Sequence, residues 1–346
     1  MFSNCESRTR ARRTRAPVAS ALSSVVAALP PCALLLLSAA SALFACADPA
    51  RAQQPSPTPQ ITQAQAELYE RWRSNINTNQ QVAFDAGREY LAKYPADEYA
   101  RYVRPWIEAY DKAARGLEFQ RLFKSQRFGE LYAVGARILR GEPDDLRTLV
   151  HLAYAGYLAS AKGDDTHSAD ALAYARRAQS LIESGAKPTD WQPFVDKDDA
   201  LAYLNFVVGE LTFKDDPAAS SRLFLRALSF DSTLRREPVI YSRLAASYVA
   251  SQYDPLSQDY QERFAGKDPT DESRAALERV NAVVDRIIDA YARAVALSGD
   301  DAKYAEPQRR WTGELTRFYK FRHDGSTEGL DALIASAVSK PLPEIK

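Results

Sequence analysis

The chain has 346 residues, 46% hydrophobic and 26% charged, with 45 basic and 45 acidic side chains and a net charge of zero. That composition supports one large or two modest folded domains, and it lacks the basic excess that nucleic-acid binding needs, so no nucleic-acid partner is expected. Only 14 glycines stand among abundant alanine and leucine. This favours helix, since glycine costs roughly 1 kcal/mol in a helix interior.

Residues 1–52 read differently from the rest. Arg8, Arg10, Arg12, Arg13 and Arg15 form a basic start, and an apolar stretch follows, densest from Ala33 to Ala45. It is shorter than the roughly 20 apolar residues that span a bilayer. Ala50-Arg51-Ala52 then has the spacing of small residues at a signal-peptide cleavage site, which places the cut between Ala52 and Gln53. A second export route also fits. Leu43-Phe44-Ala45-Cys46 resembles a bacterial lipobox, in which Cys46 would carry a lipid anchor to a membrane. Phe44 is larger than the residue usual in that slot, which favours the cut after Ala52. Both routes export the protein, to the periplasm or, as the alternative, to the outer membrane as a lipoprotein. Cys5, Cys32 and Cys46 all precede Gln53. A chain cut there has no disulfide, thiolate nucleophile or zinc–thiolate site. It also loses six Arg against Glu6 and Asp48, leaving 39 basic and 43 acidic side chains and a net of −4.

Residues 53–60 (QQPSPTPQ) form a proline-rich spacer. An N-terminal helical region is expected over 61–124. Leu68, Trp72 and Ile76 recur every four residues on one helix face. Ala83, Ala86, Tyr90, Leu91 and Tyr94 do the same, with Pro95 as the stop. A long run from Asp97 to about Phe123 contains Pro105, which should kink it or mark a boundary. Over 125–304 the helices come in pairs: Phe128–Arg140, then Asp145–Ala161 with Ala169–Glu183, then Asp199–Phe213 with Ala218–Phe230. Val239–Gln252 leads into a polar insertion from Tyr253 to Thr270 and a helix reaching Leu297. Residues 305–346 supply two capping helices, Ala305–Phe321 and Glu328–Val338. No segment has the alternation of a strand. Asp-Asp pairs at 144–145, 164–165, 198–199, 215–216 and 300–301 precede helix starts. An aspartate there accepts hydrogen bonds from the free N–H groups of the first turn, worth about 1 kcal/mol each.

Paired helices with small residues at fixed slots resemble the tetratricopeptide repeat. In Leu201–Leu234 one register places Leu204, Val207, Val208 and Leu211 on the first helix and Ser220, Phe224, Ala227 and Leu228 on the second. The usual glycine slot holds Val208, with Gly209 one place late. Leu152, Ala155, Gly156 and Ala159 with Ala171, Ala175 and Ala178 fit more loosely. So do Tyr241, Leu244, Ala245 and Tyr248 with Tyr291, Ala294 and Val295. The resemblance implies an all-α fold, a right-handed superhelical solenoid of antiparallel helix pairs. It also implies a groove that holds a protein or peptide partner. Tyr157 and Tyr203 are the candidates to face such a groove, because tyrosine joins an apolar ring to a polar hydroxyl.

Little in the sequence points to chemistry. His151, His167 and His323 lie at no metal-binding spacing, and no catalytic or phosphate-binding motif is present. No metal and no cofactor is therefore expected. The functional expectation is a non-catalytic interaction scaffold or adaptor in the bacterial cell envelope. The alternative is a helical domain that serves, or acts as, a cell-wall or polysaccharide-processing enzyme.

Overall fold

A computed structural model describes residues 61–341. The cleavage site at Ala52 and Gln53, the lipidation candidate Cys46 and the spacer 53–60 all lie outside the described residues.

The described chain is helical, and no strand occurs among its residues. In order the helices are α1 (Gln63–Asn75), α2 (Gln80–Lys93), α3 (Ala100–Lys124), α4 (Phe128–Gly141), α5 (Leu146–Ser160), α6 (Ser168–Glu183) and α7 (Lys197–Thr212). They continue with α8 (Pro217–Ser229), α9 (Pro238–Tyr248), α10 (Asp254–Phe264), α11 (Asp271–Ser298), α12 (Ala305–Arg322) and α13 (Leu330–Ala337). The expected pairing is present in the packing. The tightest partners are α1 with α2, α5 with α6, α7 with α8, and α11 with both α9 and α12. Between these, α6 packs on α7 and α8 on α9, whereas α7 and α9 scarcely touch.

Glycine sets how closely some of these helices approach. A Cβ on Gly156 of α5 would sit 2.3 Å from the Ala171 Cβ of α6, and one on Gly209 of α7 would sit 2.5 Å from the Phe224 ring of α8. No real side chain fits in that space. Gly209, one place after Val208, therefore makes the closest approach of its pair. Around it Leu204, Val207, Val208, Ser220, Phe224, Ala227 and Leu228 are all buried. Phe206, Phe224 and Phe318 are among the largest fully buried side chains, each worth roughly 1.5–3 kcal/mol.

Three local expectations need correction. The polar insertion at 253–270 is largely helix: α9 passes through a π-helical turn, Val249–Tyr253, directly into α10. Pro255 would clash with an ordinary helical turn, and the wider π turn relieves that clash. Leu256 and Tyr260, four residues apart, then rest on the core beside α11. Pro105 does not bound α3, which runs through it. The proline lies on the exposed side near the helix start, where solvent can satisfy the Arg101 carbonyl that it deprives of a donor. The aspartate caps are real in part. Asp216 accepts from the Ala219 N–H at 2.8 Å, and Asp301 accepts from the Lys303 N–H. The cap of α7, however, is Asp196, which accepts from the Asp199 N–H at 2.9 Å. Asp199 itself lies inside the fold.

The C-terminal segment is held by α11. The Arg293 side chain, 5% exposed, pairs with Asp289 at 2.7 Å. It also donates to the carbonyls of Lys340 and Pro341, at 2.8 Å each.

Candidate functional site: a tyrosine strip and an interhelical ion pair

Helices α5, α7 and α9 are apolar almost all round, as expected of helices covered by neighbours on most sides. Among the residues they leave partly open, one set lies at helical spacing: Tyr154 and Tyr157 with Leu158 on α5, Tyr203 and Glu210 on α7, and Val239, Arg243 and Ala246 on α9. The two tyrosines singled out from the sequence therefore share one region, joined by aromatic neighbours. Tyr154 meets Tyr203 edge to face at 5.8 Å and Phe194 at 5.5 Å. Phe194 stacks on Tyr203 at 4.9 Å, and Tyr157 meets Phe206 at 5.2 Å. Tyr157 and Tyr203 are half-buried. Burial pushes the Tyr154 phenol up to about 12 and raises Tyr157 and Tyr203 as well. All three hydroxyls keep their protons near neutrality and can donate hydrogen bonds.

At the end of the strip a carboxylate crosses between helices. The Arg243 Nε of α9 lies 3.1 Å from Glu210 Oε2 of α7. The Glu210 side chain is 10% exposed and that of Arg243 is 45% exposed. The other Glu210 oxygen, Oε1, is buried with no hydrogen-bond partner. Burial pushes the Glu210 carboxyl up to about 7, and the Arg243 guanidinium pulls against that rise. A carboxyl poised near neutrality is what a general acid needs. Here one oxygen is tied to Arg243 and the other is enclosed by protein, so neither is presented to a substrate.

Sequence reasoning missed both partners of this pair. A signal existed for one of them: Glu210 is the lone charged residue in the run Leu201–Phe213. Nothing local marks Arg243. Asp199 was also misplaced. It is 3% exposed and accepts from the Val195 N–H at 3.1 Å, the Thr233 N–H at 2.8 Å and the Thr233 hydroxyl at 2.7 Å. It anchors the start of α7 to the turn before α9.

The three histidines stay apart. His151 is buried against Phe119 and Phe123, with Nδ1 2.8 Å from the Arg147 carbonyl, and burial holds its pKa below the ordinary value. His167 stacks on Tyr132 and His323 on Tyr319. Among the described residues no group of three or more His, Cys, Asp or Glu side chains could hold a metal ion. No helix there is long and apolar enough to cross a membrane. Set against protein-family models, curated proteins and solved structures, the chain matches none.

Proposed function

We propose that this protein is a non-catalytic interaction scaffold or adaptor of the bacterial cell envelope. In this reading it is exported and built from tetratricopeptide-like helix pairs, and it holds a protein or peptide segment along the stripe of α5, α7 and α9. The observation that carries the reading is the tyrosine strip. Tyr154, Tyr157 and Tyr203 come from two separate helix pairs and converge on one partly open face, each with a rigid ring and a protonated hydroxyl. Such side chains supply contact area at low entropic cost and dominate interface energetics. The basic and apolar start of the sequence and the Ala50-Arg51-Ala52 spacing support export.

The alternative, a domain serving or acting as a polysaccharide enzyme, draws on the same rings, which also suit sugar stacking, and on the carboxyl near 7. The enclosure of Glu210 counts against the catalytic form of it.

A photo-crosslinking amino acid placed at Tyr157 or Tyr203 of the full chain in its own host separates these readings. Protein adducts are expected from both positions, and none from Arg176 or Arg222, exposed residues of α6 and α8. Equal labelling at all four positions, or none, overturns the proposal. Turnover of cell-wall glycan by the purified chain overturns its non-catalytic part.

A further inference from the structure

Glu210 and Arg243 form the one ion pair found between α7 and α9 among the described residues, and these two helices otherwise scarcely meet. Each is packed instead on α8. The pair is therefore a direct tie between two stripes of the tyrosine face. Its construction is lopsided. Arg243 engages one oxygen through Nε and is otherwise substantially exposed, while the second oxygen is enclosed without a donor. A buried carboxylate whose oxygens are both satisfied holds its charge readily, whereas one with an orphaned oxygen gains by taking up a proton. Once neutral, it loses most of its attraction for the guanidinium, and Arg243 is exposed enough to be taken over by water.

We propose that Glu210 and Arg243 are a proton-operated latch: with Glu210 charged, the pair ties α7 to α9, and with Glu210 protonated, Arg243 swings free into solvent beside the tyrosine strip. The groups that face the latch are few. From α5 there is the Tyr157 phenol, whose pKa Glu210 raises, and from α9 there is Arg243. No charged group of α6 or α8 acts on Glu210. On the far side Arg243 acts on Tyr291 of α11, which Glu314 and Arg317 of α12 also influence. Neither tyrosine ionises in the range where the latch works, because burial raises both. Burial lifts Glu210 to about 7, so the latch operates around neutral pH. The consequence that acid alters partner binding rests on the reading of this face as the binding surface. The latch itself does not depend on it.

The test uses the full chain without any partner. Nuclear magnetic resonance follows the Arg243 Nε–Hε signal, assigned by its loss in Arg243→Lys, and the Glu210 side-chain carboxyl carbon. Wild-type protein should show a slowed, protected Arg243 guanidinium at pH 8 and a solvent-like one at pH 5.5. This is the reverse of an ordinary exposed arginine, whose exchange slows in acid. Glu210→Gln should leave Arg243 solvent-like at both pH values. Arg243→Gln should move the Glu210 titration midpoint upward, since Arg243 supplies the pull that lowers it. An Arg243 signal unchanged between pH 5.5 and 8, or a Glu210 midpoint below 5.5, overturns the latch. If Glu210→Gln does not fold, the wild-type titration and Arg243→Gln still decide. Failure of the crosslinking experiment sinks the binding reading and leaves the latch standing.

Discussion

Helix α7 carries an enclosed carboxylate near each end, and the two have opposite fates. Asp199, in the first turn, receives three hydrogen bonds from Val195 and Thr233. Glu210, in the last turn, has one oxygen engaged and the other orphaned. The first is a structural anchor at a helix N-terminus, where backbone N–H groups and the helix dipole favour negative charge. The second lies at the opposite end, where the dipole disfavours it, and only a half-exposed arginine compensates. Similar side chains on one helix thus serve as a fixed tie and as a responsive one. The difference lies in how many donors the neighbouring elements bring.

Several measurements bear on that contrast. The largest effect is expected for Asp199→Ala. It removes the three charge-assisted hydrogen bonds that tie the start of α7 to Val195 and Thr233 and should cost roughly 3 kcal/mol in urea unfolding. A cost near zero would mean that the anchor contributes nothing and that the two ends do not differ.

Glu210→Gln should act in the other direction and only in one pH window. The folded carboxyl sits near 7, above its ordinary 4.5. Charging it therefore costs stability above pH 7, and that cost fades as the pH falls through 7 and is gone below about 4.5. The variant should be more stable than wild type at pH 8, by at most roughly 3 kcal/mol, the pull of Arg243 being already contained in the folded value. The gap should close by about pH 4.5. Denaturant midpoints across pH 4.5–8.5 check this, and parallel curves would remove Glu210 from the account.

Between the two ends lies the packing that holds α7 against α8. Gly209→Ala should force the Phe224 ring aside and cost roughly 1–3 kcal/mol. The same substitution at exposed Gly129, where an added Cβ meets nothing within 4 Å, should leave stability the same or slightly higher. The smallest loss is that of Asp216→Ala, which removes the cap of α8 and should cost about 1 kcal/mol. Hydrogen exchange should localise that loss to the first turn of α8. Protection lost throughout α7 and α8 would mean that the cap also supports their packing.

Much of the fold was legible because helices declare themselves locally. Trp72, Tyr90 and Ala86 recur on helical faces and are buried. The helix pairs at 145–183 and 199–230 lie within a few residues of where the pattern put them. Register was less secure. Val208 and Gly209 are adjacent and both apolar, and only the approach of Phe224 tells them apart. The segment 253–270 misled because its polarity reads as loop. Its helix is set by continuity with α9 and by Leu256 and Tyr260 resting on the core, a contact that lies outside the segment. The site was visible only as tyrosines. Tyr157 and Tyr203 belong to different helix pairs, and no spacing along the chain shows that Tyr154 and Phe194 bring them together.

The sequence by itself determined the helical class, the positions of most helices and the caps at Asp216 and Asp301, because these depend on propensity and on neighbours within a turn. The tertiary structure alone decided which Asp of 196–199 caps and which is buried. It alone paired Glu210 with Arg243 and seated Lys340 and Pro341 on Arg293. Each of those outcomes depends on donors that arrive from residues far along the chain, and a buried charge is stable only where such donors meet it.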